Sequence, residues 1–343
     1  MTPEAFEWEK PLVELERRIA ELRSFSEEKG IDLSGEIATL EERAVALRQS
    51  IYRNLTPWQR VQIARHPRRP TALDYIACIF DDFMELHGDR TFRDDPAVVG
   101  GIGFLGGIPV TVVGTQKGRD TKENLVRNFG LPHPEGFRKA MRLALQAEKF
   151  GRPVVTLIDI VGAYPGIEAE ERGQGLVIAE SIRTFSVLRT PVVCAVTGEA
   201  GSGGALAIGV GDRILMMEYA WHSVISPEGC ASILWKDAGR APEAAAALRL
   251  AAEECLRLGV VDEILPEPPG GAHRDPDQAA VVLKEALLRH IEELLPIPPD
   301  ELVRQRQERY RHHRSRPHWE LLSPGQEVST AEVGEGTSGR ANE

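Results

Sequence analysis

The sequence predicts an α/β fold in which helices cover a central sheet. Two short apolar runs, 153–160 and 191–198, have the composition of buried strands. Each run is followed first by a glycine-rich loop and then by a segment with helical periodicity. A third run, 98–116, is typical of a β-hairpin that turns at Gly106 and Gly107. This alternation of strand, loop and helix favours α/β layering.

The first part of the chain is predicted to be helical. Apolar residues in 10–55 recur at spacings of three and four on either side of the break at 28–35, which predicts a helical hairpin. Its apolar seam is too short for a long coiled coil, so we expect it to pack against the main body or a partner. The run 71–89 has the pattern of one further amphipathic helix.

The remaining elements are read from the same periodicities. They are helices at 134–151, 168–189, 205–211 and 278–295, and strands at 213–225 and 260–268. A further helix is predicted to begin at 226, because Ser226 suits the N-cap, Pro227 suits the first helical position and Glu228 suits the first turn.

Composition and charge exclude several classes of protein. The net charge of −11 argues against a nucleic-acid surface, and no apolar run reaches the roughly 18–20 residues of a membrane span. The first residues lack the pattern of a signal peptide, so we expect a cytoplasmic protein. The cysteines are far apart and form no CxxC motif, which excludes a zinc ribbon within the chain. We therefore expect no metal site in this chain.

The segment 198–212, GEAGSGGALAIGVGD, is the most informative stretch for function. Leu206 stands where a dinucleotide-binding motif has its third glycine, and Val210 stands where a phosphate-binding loop has its lysine. Ser202 lacks the GxSxG frame of a nucleophile elbow. A hydroxyl that is satisfied by the backbone explains Ser202 better than a nucleophile does.

Backbone N–H groups offer another interpretation of this segment. Glycines at the start of a helix let an anionic oxygen approach those donors, and an oxyanion hole is the demanding form of such a site. Tight packing of a helix against a strand explains one or two glycines, but a run of them less well. Between Gly203 and Gly211 there is no acid, base or thiol, so proton transfer has to come from elsewhere. A second glycine loop, 162–166, follows the preceding strand and is expected to face the same pocket.

Six blocks of the sequence closely resemble the carboxyltransferase alpha subunit of bacterial acetyl-CoA carboxylase. They are 116–130, 134–150, 162–175, 198–212, 223–238 and 266–274. The resemblance implies a crotonase-like (ClpP/crotonase) spiral of ββα units. It divides the chain into an N-terminal helical region at 1–95, a carboxyltransferase domain with C-terminal helices at 96–315, and a tail at 316–343 that we expect to be disordered.

The same resemblance implies a reaction and its partners. Carboxylate passes from carboxybiotin, carried on a biotin carboxyl carrier protein, to acetyl-CoA and gives malonyl-CoA, the committed step of fatty-acid synthesis. A homologous beta subunit that bears a zinc ribbon completes an α2β2 assembly, and biotin carboxylase is a further partner. Biotin is thus the expected cofactor, attached to a partner and not to this chain, and zinc is expected only on the beta subunit.

The resemblance also assigns roles to residues. The implied site consists of Gly203, Gly204 and Ala205 as the oxyanion hole for the ureido oxygen of biotin, with Gly162, Ala163 and Tyr164 for substrate binding. The Tyr164 ring either packs against biotin or fills the loop. The freed biotin nitrogen can take the methyl proton of the acetyl group, so no general base is required, which fits its absence after Gly203.

Basic residues predominate between 115 and 152, a stretch that contains nine basic and four acidic residues. This excess is either a solvated helix face or a contact surface for CoA phosphates or for the acidic surface of the partner. Lys117, Arg119 and Lys122 are the best candidates for such a contact, because they lie in the loop ahead of the predicted helix.

Two other functions are open at this point. A stand-alone acyl-CoA hydratase or isomerase on the same spiral would place a catalytic acid shortly after the oxyanion glycines, and 205–211 has none. A non-catalytic structural subunit would account for the helical hairpin and the required partner. An activity assay on the chain alone separates the first alternative from the rest.

Overall fold

The computed structural model describes residues 5–312; the tail predicted at 316–343 lies outside them. The strands are β1 (Asp81–Glu85), β2 (Val98–Leu105), β3 (Ile108–Thr115), β4 (Val154–Ile160), β5 (Val192–Gly201), β6 (Arg213–Met217), β7 (Trp221–Ser223) and β8 (Glu263–Leu265). The helices are α1 (Lys10–Lys29), α2 (Ser34–Arg53), α3 (Pro57–Ala64), α4 (Ala72–Ile79), α5 (Thr121–Val126), α6 (Pro134–Lys149), α7 (Ile167–Glu171), α8 (Gln174–Val187), α9 (Ser202–Leu206), α10 (Pro227–Trp235), α11 (Ala241–Leu248), α12 (Ala252–Arg257), α13 (Pro276–Leu294) and α14 (Pro299–His312).

These strands form one mixed sheet. β2 is antiparallel to both of its neighbours, β1 and β3, whereas β3, β4, β5, β6 and β8 run parallel in that spatial order. β7 pairs with β5 beyond the end of β6. β4 and β5 are buried along their whole length, as parallel strands covered on both faces are. The predicted α/β layering is confirmed.

Several local predictions are confirmed as well. β2 and β3 pair along their whole length, and Gly106 and Gly107 both have positive φ angles, of 57° and 83°, as a two-residue hairpin turn requires. α10 begins at Pro227, and the Ser226 side chain accepts a hydrogen bond from the Gly229 N–H at 3.1 Å. α6, α13 and β8 occupy the predicted positions.

The single helix predicted at 71–89 is wrong beyond Ile79. α4 ends there, and the chain continues as β1, which pairs antiparallel with β2. β1 lies so close to Gly101 of β2 that a Cβ on that glycine would be 2.8 Å from the Phe83 ring. Backbone pairing with β2 thus replaces the hydrogen bonds of a longer helix. The boundary predicted after residue 95 would place β1 in the N-terminal region, apart from its partner β2. A boundary ahead of Ala72 keeps α4 and β1 with the sheet.

Three other elements differ from their predicted bounds. The predicted helix at 168–189 is divided into α7 and α8 by a left-handed turn at Gly173, whose φ is 82°. The predicted strand at 213–225 consists of β6 and β7, which a turn at 218–220 separates. β5 runs to Gly201 and α9 follows it directly, so the helix predicted at 205–211 begins three residues earlier, at Ser202, and it already ends at Leu206. The prediction of a helix over 207–211 is wrong.

α1 and α2 form the predicted helical hairpin. Its seam buries a small apolar cluster that includes Leu12 and Ile19. Ion pairs connect the hairpin to the main body, because the Arg274 guanidinium donates to Glu9 at 3.2 Å and to Glu16 at 3.1 Å. The hairpin thus contacts the main body, one of the two alternatives expected for it, and its contact with a partner stays a prediction.

A stacked pair of buried histidines lies near this contact. The rings of His66 and His273 are 3.9 Å apart and inclined by 22°. Burial, and then the neighbouring His66 and Arg69, lower the pKa of His273 to about 3. In the unfolded chain an imidazole titrates near ~6.5. Below pH ~6.5 the unfolded chain therefore takes up a proton on His273 that the folded protein does not. The free energy of unfolding then decreases as the pH falls, by about 1.4 kcal/mol per pH unit.

We expect His273→Phe to make the protein less sensitive to acid. Phenylalanine keeps an aromatic ring against His66 but takes up no proton in the unfolded state. Between pH 7.5 and 5.5, the free energy of unfolding of the parent should fall by about 1.4 kcal/mol more than that of the variant. Urea unfolding at the two pH values measures this difference. Equal losses in both proteins would contradict the assignment to His273.

Candidate active site

Two glycine-rich segments meet at the carboxyl ends of β4 and β5. The loop 161–166 follows β4, and α9 follows β5 without an intervening loop. The two segments touch at Gly204, where an added Cβ would lie 2.8 Å from the Ala163 nitrogen and 2.9 Å from the carbonyl carbon of Gly162. Only a residue without a side chain allows this approach, so the prediction that the two loops face one pocket is confirmed.

The segments border a cleft of about 370 Å³. Its wall includes Gly162, Ala163 and Tyr164 of the loop, Ser202 and Gly204 of α9, part of α8, and residues 224–226 at the start of α10. Gly203 and Ala205 belong to the same turn of α9 as Gly204, but they are not among the residues that line the cleft, and Ala205 is buried. The start of α10 is a part of the wall that the sequence analysis missed, although its capping residues were recognised.

Backbone donors are available on both sides of the contact. The first N–H groups of a helix have no acceptor within that helix, which applies to Gly203 and Gly204 in α9. The Ala205 N–H follows them in the fourth helical position, where pairing with the carbonyl of the N-cap Gly201 begins. Within residues 5–312, the N–H groups of Gly162 and Ala163 likewise find no acceptor. The arrangement can therefore bind an oxygen that carries negative charge.

Ser202 makes the abrupt change from strand to helix possible. Its φ is 59°, in the left-handed region that residues other than glycine seldom adopt. The chain turns there from β5 into α9 within one residue. A serine gives no sequence signal for such a turn, which is why the helix was predicted to begin later.

The loop 161–166 is held by two residues that the sequence analysis missed. The buried Gln174 amide donates to the carbonyl oxygens of Pro132 at 2.8 Å and Tyr164 at 3.1 Å. The His133 ring stacks on Tyr164 with ring centroids 4.1 Å apart. One face of the tyrosine ring thus packs inside the protein, while the residue also lines the cleft. Gly173 marks the left-handed turn ahead of α8, but a Cβ on Gly175 would meet nothing within 4 Å, so these glycines gave no signal for the packing of Gln174.

Lys117 lies in a buried group of charges behind the two segments. Its Nζ is 2.6 Å from Asp159 Oδ1 and 2.6 Å from Glu199 Oε2. Burial alone would lower the pKa of Lys117, but the carboxylates of Asp159 and Glu199 outweigh it and raise that pKa. The ammonium group therefore stays charged and is already neutralised within the protein.

Arg119 and Lys122 are on the surface. Arg119 is 60% exposed and forms an ion pair with Asp74, and Lys122 is exposed in the first turn of α5. Neither residue, and not Lys117 either, is among those that line the cleft. Within residues 5–312, no three or more His, Cys, Asp or Glu side chains are grouped to hold a metal ion, and no helix there is long and apolar enough to cross a membrane.

Comparison with solved structures identifies the fold. The 12S subunit of transcarboxylase, solved with methylmalonyl-coenzyme A and methylmalonic acid, matches with a TM-score of 0.53 and 19% identity over 64% of this chain and 41% of that chain. A Pseudomonas malonate decarboxylase hetero-tetramer in complex with coenzyme A matches with a TM-score of 0.52 and 20% identity over 65% of this chain and 90% of that chain. The crotonase-like fold expected from the sequence is thereby confirmed.

Comparison of sequences identifies the family. Residues 5–314 match the family described as acetyl co-enzyme A carboxylase carboxyltransferase-like. The acetyl-coenzyme A carboxylase carboxyl transferase subunit alpha of Thermus thermophilus is 60% identical over 89% of this chain and 96% of its own length. That of Carboxydothermus hydrogenoformans is 57% identical over 90% and 95%. The chain therefore belongs to the carboxyltransferase alpha subunits of acetyl-CoA carboxylase.

Proposed function

We propose that this chain transfers the carboxylate of carboxybiotin, delivered by a biotin carboxyl carrier protein, to acetyl-CoA and so forms malonyl-CoA. Family membership supports the reaction class. The observation that carries the site is the contact at Gly204, which brings the N–H donors of two segments to one cleft. The ureido oxygen of biotin is the group that we place there.

The chemistry asked of this chain is electrostatic. Bound carboxybiotin supplies the carboxylate and, after release, the nitrogen that accepts the methyl proton. One or two N–H groups among those of Gly203, Gly204 and Ala205, with one from Gly162 or Ala163, stabilise the charge that gathers on the ureido oxygen. Removal of one such donor costs about 3–4 kcal/mol in measured enzymes. No side-chain acid or base is needed for this role.

We further propose that a beta subunit supplies the second oxyanion hole, for the thioester of acetyl-CoA, in an α2β2 assembly. Exposed apolar side chains next to the cleft support a partner surface: Val224 is 78% exposed and Ile167 is 77% exposed. Zinc belongs to the beta subunit in this proposal, and biotin carboxylase supplies the carboxylated carrier. The exposed Arg119 and Lys122 are proposed to contact CoA phosphates or acidic groups of the partner.

The isolated chain is expected to lack carboxyltransferase activity, because it holds one of the two oxyanion holes. Addition of the beta subunit should restore decarboxylation of malonyl-CoA in the presence of free biotin. The beta subunit alone is the matched control and should also be inactive. Turnover by this chain alone, or hydration of crotonyl-CoA by it, would contradict the proposal of a site shared between two subunits.

A further inference from the structure

An interruption in the β4–β5 ladder lies directly behind the cleft. Ile158 pairs with Val196, but the next pair is Ile160 with Ala200, so Asp159 alone faces the three residues 197–199. Such a bulge leaves ladder groups unpaired and changes the direction of the strand. Both glycine-rich segments leave the sheet immediately after this point, so the bulge sets where they begin.

Charged side chains fill this bulge. The Asp159 carboxylate accepts a hydrogen bond from the Glu199 N–H at 2.8 Å, in place of a ladder bond. Lys117 Nζ lies 2.6 Å from the same Asp159 oxygen and 2.6 Å from the Glu199 carboxylate. Gly198 leaves the space for this arrangement, because a Cβ there would be 2.6 Å from the Asp159 carboxyl carbon. Lys117 thus connects the ends of both strands.

The group of charges extends to the third segment of the cleft wall. Arg65 Nε donates to the second oxygen of Glu199 at 2.6 Å, and the Arg65 guanidinium also pairs with Glu228. Glu228 lies in the first turn of α10, whose start lines the cleft. One continuous set of ion pairs therefore joins the end of β4, the end of β5 and the first turn of α10.

The positive charge of Lys117 is needed to balance the carboxylates of this group. Two cations, Lys117 and Arg65, face three carboxylates, and the side chains of Asp159 and Glu199 are 9% and 7% exposed. Without the ammonium group, these two buried carboxylates would face each other with Arg65 beside Glu199, while the nearby Arg69 is already paired with Glu267. Repulsion and incomplete solvation would then separate the strand ends.

We propose that Lys117 is a positioning residue for the carboxyl transfer: it holds the ends of β4 and β5 so that the N–H donors of both segments converge on one oxygen. This inference rests on the proposed function and gives Lys117 a role other than contact with CoA. A lysine that touches a phosphate acts on substrate binding, whereas a lysine that sets donor geometry acts on the rate of the bound complex.

The test is Lys117→Met in the complex with the beta subunit, assayed as decarboxylation of malonyl-CoA with free biotin. We expect kcat to fall by about 10-fold to 100-fold, with KM for malonyl-CoA within about 2-fold of the parent. Lys117→Arg retains the charge and should recover part of the lost kcat. Lys149→Met, an exposed lysine at the end of α6, is the matched control and should behave as the parent.

A second variant keeps the proposal testable if Lys117→Met folds poorly. In Lys117→Met/Asp159→Asn, the asparagine oxygen can still accept from the Glu199 N–H, and one unpaired charge is removed. We expect this double variant to fold and to have a higher kcat than the single variant. A double variant that is no better than Lys117→Met would overturn the charge argument, as would a loss that appears only in KM.

Hydrogen–deuterium exchange gives a readout that is independent of turnover. Lys117→Met should speed exchange at the backbone amides of 161–166 and 199–206, and leave α13 unchanged. If the parent complex has no activity, the proposed function fails, while faster exchange at these two segments still supports the positioning role. Unchanged exchange at both segments in Lys117→Met would overturn it.

Discussion

Gly204→Val is expected to lower kcat of the assembled enzyme by about 100-fold or more, the effect of losing at least one oxyanion donor. The backbone N–H itself cannot be removed by substitution, but its surroundings can be filled. A Cβ at this position meets the Ala163 nitrogen at 2.8 Å and Ile160 Cδ1 at 2.9 Å, so valine has to separate the two segments. Turnover of malonyl-CoA with free biotin measures the loss.

Ser202→Ala is the matched control for Gly204→Val. It changes a residue two positions earlier, whose hydroxyl has no role in the proposed reaction, and should cost less than about 3-fold in kcat. Circular dichroism and co-elution with the beta subunit establish that both variants fold and assemble. If Ser202→Ala is as damaging as Gly204→Val under these conditions, the backbone-donor mechanism is wrong and the hydroxyl takes part in the chemistry.

Arg306→Met is expected to lower the free energy of unfolding by about 3–5 kcal/mol, the cost of breaking a buried ion pair. Arg306 is 1% exposed and binds both carboxylate oxygens of Asp212, at 2.8 Å and 2.6 Å. Its guanidinium also donates to the carbonyl oxygens of Phe185, Leu188 and Thr190, where the chain passes from α8 to β5. Methionine removes the guanidinium donors from all of these acceptors, and Asp212 keeps the hydrogen bond from the Val192 N–H at 2.8 Å. Urea unfolding measures the change.

Arg304→Met provides the comparison, because it makes the same substitution two residues earlier in α14. Arg304 pairs with Glu301 and Glu308 on the surface, and exposed pairs of this kind contribute little. The urea midpoint of this variant should stay close to that of the parent. Similar midpoints for Arg304→Met and Arg306→Met would contradict the assignment of the stability to the buried guanidinium.

Local patterns predicted the parts of the fold that depend on neighbouring residues. The paired glycines at 106 and 107 predicted the hairpin turn, and the Ser226–Pro227 sequence predicted the start of α10. β1 was missed because its conformation depends on pairing with β2, which competes successfully with the helical periodicity of 71–89. Helical propensity is a weak preference that such tertiary pairing overrides.

The sequence predicted glycines of the candidate site, but it did not predict the side chains that hold them in place. The glycines that line the cleft could be found because their pattern is contiguous in the sequence. Lys117 was interpreted as a surface contact, because its partners Asp159 and Glu199 lie 42 and 82 residues further along the chain. No local pattern shows that three such distant charges meet, and only the order of β3, β4 and β5 in the sheet brings them together.

The contact between Gly204 and the loop after β4 has a consequence for inhibitor design. Among residues 5–312, no cysteine, lysine or histidine lines the cleft, so a covalent inhibitor finds no strong nucleophile among them. A reversible inhibitor with a carbonyl or carboxylate oxygen can instead use the N–H donors. Substitution of Gly204 by a bulkier residue would weaken inhibitor binding, but it would also lower the activity of the enzyme. Escape mutations are therefore expected on the outer wall, at Val224 or Ile225.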